Sequence, residues 1–247
     1  MTELNGKRAL VTGASRGIGA AIAIMLADRG ADVAITYESS ADKAAKVVNE
    51  IEGKGRKALG LRADSADPEA VRRAVEETVA GLGGLDILVN NAGIARYANV
   101  GDDGSLTDLE AMFNVNVRSA VAASGAAMRY LGKGGRIVII GSFLAERVPF
   151  PGVTLYSTTK SALTAFSRGL ARDLGSRAIT VNLVQPGPTD TDLNPANGDH
   201  ADGLRALTAL GHYGEREDIA SAVAFLVSPA AKFITGTVLN VDGGISA

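Results

Sequence analysis

The chain has 247 residues, a formal charge of −2, no cysteine and two histidines. Near neutrality argues against nucleic acid or an anionic membrane as the main partner. The missing cysteines exclude disulfides, zinc–thiolate centres and thiol catalysis, and two histidines are too few for a His-built metal site, so no metal is expected.

The first apolar run, Arg8 to Val11, enters the loop Thr12-Gly13-Ala14-Ser15-Arg16-Gly17-Ile18-Gly19, and a helical pattern extends from there to about Arg29. Strand, glycine loop and helix in that order form a dinucleotide-binding unit. Glycine tolerates the positive φ of a tight turn, and a missing Cβ lets a pyrophosphate reach the backbone. The N–H groups of the helix start then face the anion.

Strand-like and helix-like segments alternate from there. Asp32 to Tyr37 reads as a second strand. Ala41 to Glu52 reads as a helix with Ala44, Val47, Val48 and Ile51 on one face, and Lys57 to Leu61 as a third strand. Asp67 and Pro68 are suited to N-cap and first helical position of the next helix. Leu85 to Val89 is a fourth strand, followed by Asn90-Asn91-Ala92-Gly93. Leu106 to Tyr130 reads as one long helix. The nearly all-apolar run Arg136 to Ile140 suits a parallel strand covered on both faces. Thr154 to Leu174 is a second long helix, Ile179 to Val184 a sixth strand, Glu217 to Ser228 a helix and Val238 to Val241 a last strand.

The expected fold is α/β and Rossmann-type: one doubly wound domain over 1–247, with seven predominantly parallel strands and helices on both faces. Ligands of such sheets lie beyond the carboxyl ends of the strands. The N-terminal residues are polar and no apolar run reaches membrane-spanning length, so a cytoplasmic protein is the expectation.

Tyr156 and Lys160 are four apart and share one helical face. Ser142 closes the fifth strand, and the trio can converge at the sheet's carboxyl edge. Ketone reduction needs a proton donor for the developing alkoxide, and an ammonium beside a phenol lowers its pKa toward the working range. A serine hydroxyl could hold the substrate oxygen, although Ser142 by itself reads first as a turn or cap residue.

With these residues in place the chain resembles the short-chain dehydrogenase/reductase family in its compact branch. The carrying motifs are Thr12-Gly13 with Gly17-Ile18-Gly19, Asn90-Asn91-Ala92-Gly93, Asn116, Ser142, Tyr156 with Lys160, Pro186-Gly187 and Thr191. The resemblance covers nearly the whole chain and is nearest to 3-oxoacyl-carrier-protein reductases and related ketoreductases. It implies that Tyr156 is the general acid, that Lys160 binds the nicotinamide ribose and lowers the Tyr156 pKa, that Ser142 polarises the carbonyl, and that Asn116 holds a water of the proton relay. It implies a cofactor shell of Gly13, Ser15, Arg16, Gly17, Ile18, Gly19, Tyr37, Ser39, Ser40, Asp64, Ser65, Asn90, Ala92, Gly93, Pro186, Gly187, Thr189 and Thr191, beside Tyr156 and Lys160. Asp64 would accept the adenine amino group and Asn90 would meet the ribose. The segment from Thr189 to Leu210 would be a lid over the substrate.

A binder of the free ribose 2′-hydroxyl usually has an acid at the end of the second strand, where this chain has Tyr37. Arg16, Ser39, Ser40 and Lys43 instead suit the 2′-phosphate, so NADPH is expected over NADH, with Glu38 as a discordant charge. Lys133 and Arg177 stand where acyl-carrier reductases carry docking cations. The resemblance also implies a homotetramer. A dehydrogenase of a sugar, steroid or other small alcohol, and a non-catalytic nucleotide sensor, are the competing readings.

Overall fold

The computed structural model describes residues 3–247. Its elements come in the expected order. They are β1 (Arg8–Val11), α1 (Gly17–Asp28), β2 (Asp32–Tyr37), α2 (Ala41–Gly53), β3 (Ala58–Arg62), α3 (Pro68–Leu82) and β4 (Ile87–Asn90), then α4 (Ser105–Phe113), α5 (Ser119–Ala127), β5 (Arg136–Ile140), α6 (Thr154–Leu174), β6 (Thr180–Pro186), α7 (Ala201–Leu207), α8 (Arg216–Val227) and β7 (Val238–Val241).

The strands form one sheet in the order β3-β2-β1-β4-β5-β6-β7, and every pairing is parallel. Alternation along the strands feeds two cores. Ala9, Val11, Val138 and Ile140 point to the face covered by α1, α2 and α8. Leu10, Ile137 and Ile139 point to the face covered by α3, α5 and α6. This is why β5 reads as continuously apolar: both of its faces are buried.

Local signals place the helices. Asp67 caps α3 by accepting from Glu69 N–H at 2.9 Å, with Pro68 in the first turn, as expected. The expected helix from Leu106 to Tyr130 is interrupted. Asn114–Arg118 is a π-helical turn between α4 and α5. Such a turn inserts one residue into the helix and rotates the side chains of α5 relative to those of α4, and Asn116 lies inside it. Hydrophobic periodicity carries no sign of that insertion.

The chain reverses direction in the sheet between β1 and β4: β2 and β3 extend to one side, β4 to β7 to the other. The carboxyl ends of the strands diverge there, which opens a crevice. No helix among the described residues is long and apolar enough to cross a membrane.

Candidate active site

A cleft of about 1500 Å³ runs along that crevice. One end is walled by the glycine loop, the middle by Ala92, Gly93 and Pro186 to Thr189, and the other end by Tyr156 and residues of the 191–207 segment.

Backbone geometry explains the glycine loop. Gly13 has φ +63°, and a Cβ there would stand 2.8 Å from the Ala92 Cα. At Gly19 a Cβ would lie 2.9 Å from both the Ala14 Cα and the Gly13 carbonyl oxygen. Thr12 and Asn91 fix the loop against β4. Thr12 Oγ1 accepts from Asn91 and Ala92 N–H at 3.0 and 3.1 Å, and Asn91 Nδ2 donates to the carbonyls of Thr12 and Gly13. The start of α1 carries no side-chain cap and no acidic residue in its first turn, so its N–H groups and positive dipole end remain available to an anion. An uncapped helix start behind glycines that have no room for a Cβ fits a pyrophosphate.

Ser15, Arg16, Gly17, Ile18 and Gly19 line this end of the cleft, and Tyr37, Ser39, Ser40 and Ser65 line its flank. Glu38 lines it too. Two expected cofactor residues take other places. Asp64 is exposed and its Oδ1 accepts from Ala66 N–H at 2.8 Å, forming a turn, while Ala63 and Ser65 on either side make the wall. Asn90 is buried in β4 and its Nδ2 donates to Ser124 Oγ at 3.1 Å, tying the sheet to α5 rather than facing the cleft.

At the other end Ser142, Tyr156 and Lys160 converge as the spacing predicts. All three line the cleft, and Ser142 and Lys160 are only 8% and 5% exposed. Lys160 Nζ donates to the Ile140 carbonyl at 3.0 Å and sits 5.8 Å from the centre of the Tyr156 ring. Ser142 takes the cap role: its Oγ accepts from Leu144 N–H at 3.2 Å and so starts the 143–145 turn.

The electrostatics differ from the sequence expectation. The Tyr156 phenol is pushed well above its ordinary range, first by burial, then by the nearby Tyr97, against a lowering contribution from Ser142. Burial lowers Lys160 itself to about 8. Tyr156 is therefore held protonated near neutrality, the state a proton donor requires.

Asn116 is 2% exposed and does not face the cleft. Its side chain accepts from Ile94 N–H at 2.8 Å and donates to the Ile94 carbonyl at 2.9 Å and Thr159 Oγ1 at 3.0 Å. It clamps the 93–94 segment to α6, one residue before Lys160, so the side chain positions the site and its amide is already satisfied. The cleft is also lined by apolar Tyr97, Leu144, Phe150, Val153 and Leu207, together with polar Asn194, Asp199 and His200. Arg96 in that lining is paired with Asp108 at 2.6 Å.

The segment 189–210 folds over the opening, with α7 inside it. Thr189 Oγ1 donates to the Gly187 carbonyl at 3.0 Å, Thr191 Oγ1 accepts from Asn194 N–H at 3.2 Å, and the Tyr213 hydroxyl donates to Asn194 at 3.2 Å. Of the two expected docking cations, Lys133 is exposed, whereas Arg177 donates through Nη2 to the carbonyls of Met128 and Leu131 at 2.8 and 2.6 Å. Arg177 braces the end of the α5 region through these bonds and is itself exposed.

Sequence reasoning missed Asn91 and Tyr97. Asn91 had a signal, as the second amide of an Asn-Asn pair ending a strand; Tyr97 had none, because only the fold brings it over to Tyr156.

Comparison with known proteins agrees with this geometry. Residues 13–246 match a family profile described as Enoyl-(Acyl carrier protein) reductase. The chain is 42% identical over 247 residues to the cyclic-di-GMP-binding biofilm dispersal mediator protein of Escherichia coli K12, covering all of both. It is 41% identical to a versicolorin reductase of Emericella nidulans, across 98% of this chain and 96% of that protein. Among solved structures it resembles a short chain dehydrogenase from Burkholderia cenocepacia in complex with NADP, at 58% identity and TM-score 0.98, covering 99% and 100% of the two chains.

Proposed function

The chain belongs to the short-chain dehydrogenase/reductase family, and from that premise we propose that it is an NADPH-dependent reductase of a ketone to a secondary alcohol. The observation that carries this reading is the buried trio of Ser142, Tyr156 and Lys160 at the end of a cleft whose other end is an uncapped helix start behind crowded glycines. The similar Burkholderia cenocepacia enzyme holds NADP in its structure, which supports the same cofactor here.

NADPH supplies the hydride. Gly13, Ser15, Gly17, Ile18 and Gly19 would hold its pyrophosphate through backbone N–H groups, and Arg16, Ser39 and Ser40 its 2′-phosphate. Lys160 would bind the nicotinamide ribose, and Ala92, Gly93, Pro186, Gly187, Thr189 and Thr191, which line the cleft, would hold the rest of that half. Ser142 donates a hydrogen bond to the substrate oxygen, and the Tyr156 hydroxyl gives that oxygen its proton. The raised phenol pKa keeps the proton in place until the oxygen becomes basic. Asn116 and Thr159 keep α6 in register with the 93–94 segment.

At the substrate end Arg96 is paired with Asp108, and apolar side chains outnumber the polar Asn194, Asp199 and His200. This favours a neutral, largely apolar ketone over a substrate recognised by its charge. Docking of an acyl-carrier protein would rest on Lys133 and Arg177, both exposed, with the Arg177 guanidinium held in place by two carbonyls. We also propose a homotetramer. Exposed Phe113, Val121 and Phe233 provide apolar surface for copies of this chain, whereas the small residues Ala120, Ala123 and Ala126 of α5 are buried in the protomer's own core. Light scattering at micromolar concentration tests it, and a stable monomer would refute it.

The reaction is tested by a panel of ketones and alcohols with both nicotinamide cofactors, read by absorbance of the reduced ring. Turnover of apolar ketones with NADPH is expected. Tight NADPH binding with no turnover across the panel would favour the nucleotide-sensing reading instead.

A further inference from the structure

The rim of the cleft carries an ion pair that the proposed chemistry does not use. Lys43, in the first turn of α2, places Nζ 2.6 Å from Oδ2 of Asp192 in the lid segment. The two residues are 149 positions apart and come from opposite walls: α2 starts just after Ser39 and Ser40, which line one side, while Asp192 lines the other. Two more cations, Arg16 and Arg216, act on the same carboxylate through space. Lys43 is the cation in contact with this carboxylate, and Lys43 and Arg16 flank the proposed site of the 2′-phosphate. The side chains of the pair are 48% and 60% exposed, so it adds little to the stability of the fold. Its consequence falls on whatever else seeks those cations.

We propose that Asp192 is an internal anion that competes with the 2′-phosphate of the cofactor for Lys43, and so sets the margin between NADPH and NADH. The inference rests on the reading that Arg16, Ser39 and Ser40 receive that phosphate. A phosphate monoester brings nearly two negative charges and accepts through three oxygens, so it displaces a single carboxylate from the lysine. The displaced Asp192 remains close by and repels it. NADH has only a hydroxyl at that position and leaves the Lys43–Asp192 pair as it is. Asp192 therefore lowers affinity for one cofactor alone.

The test is Asp192→Asn in the full chain, with dissociation constants for NADPH and NADH measured by nucleotide fluorescence. NADPH should bind about three- to fivefold more tightly to the variant, the size of change that exposed charge pairs produce, while NADH changes by less than about 1.5-fold. The gain should shrink between about 0.02 and 0.5 M salt, where screening shortens the reach of exposed charges. In the double variant Asp192→Asn/Lys43→Ala less than half of the gain should survive. Unchanged or weaker NADPH binding would overturn the proposal. So would equal shifts for both cofactors, which mark a clasp that only holds the lid, or a full gain without Lys43. A wild-type protein that prefers NADPH but does not respond to Asp192→Asn refutes this inference alone. A wild-type protein that binds neither cofactor refutes the reading beneath it as well.

Discussion

Replacing Lys160 by methionine removes a buried ammonium while keeping most of the side chain's volume. Lys160 is 5% exposed, and burial brings its pKa from 10.5 down to about 8. At about 1.4 kcal/mol per unit, the native state is penalised by about 3 kcal/mol wherever the lysine is charged in both native and unfolded chains, that is, below pH 8. The variant loses the bond to the Ile140 carbonyl, which costs about 1 kcal/mol. The net gain near pH 7 is about 2 kcal/mol, or about 4–8 °C in Tm for a chain of this size. Between pH 8 and 10 the native lysine gives up its proton while the unfolded one keeps it. The unfolded chain then binds more protons, so wild-type stability rises with pH and the gap between the two proteins closes by about 2 kcal/mol. Tyr156 is common to both and cancels. Thermal unfolding of cofactor-free wild type and Lys160→Met at pH 7 and pH 10 measures this. A variant that is less stable at pH 7, or a gap independent of pH, would refute the claim that a charged Lys160 is held at a cost to the fold. Turnover should be lost in the same variant, which makes this a position where function opposes stability.

Three other outcomes are expected. Tyr156→Phe should leave the unfolding temperature and NADPH binding nearly unchanged and lower kcat by about 10²–10⁴-fold, since only the proton donor is lost; more than about a tenth of wild-type kcat would remove Tyr156 from that role. Arg16→Ala should raise KM for NADPH about tenfold or more and that for NADH little, in line with about 1.5–3 kcal/mol for a charge-assisted bond; equal effects on both would show that Arg16 does not read the phosphate. Gly13→Ala should lose about 2–4 kcal/mol in denaturant unfolding without any ligand, combining a Cβ at positive φ with a 2.8 Å approach to Ala92; a loss under about 1 kcal/mol would mean that the loop can yield.

Short-range physics accounts for everything that could be read from the amino-acid order alone. Alternating apolar strands, Gly13 and Gly19, and the Asp67-Pro68 helix start are local statements, and β1, β2, α6 and β7 lie where the pattern places them. The four-residue spacing of Tyr156 and Lys160 also decides a shared helical face without reference to anything distant. Tertiary structure decided the rest. The π-helical turn at Asn114–Arg118 leaves the apolar pattern intact, so no periodicity reveals it. Asn116, Asn90 and Asp64 match family motifs, yet which partner each amide or carboxylate finds depends on segments up to tens of residues away: Ile94 and Thr159, Ser124, and, locally, Ala66. The pKa of Tyr156 depends on how completely the fold removes water from it and on how near Tyr97 comes. Asp192 and Lys43 are two ordinary surface charges in the sequence. They become a pair across the mouth of a cleft only because a parallel sheet gathers the ends of all its strands on one edge, where residues remote in the chain are obliged to meet.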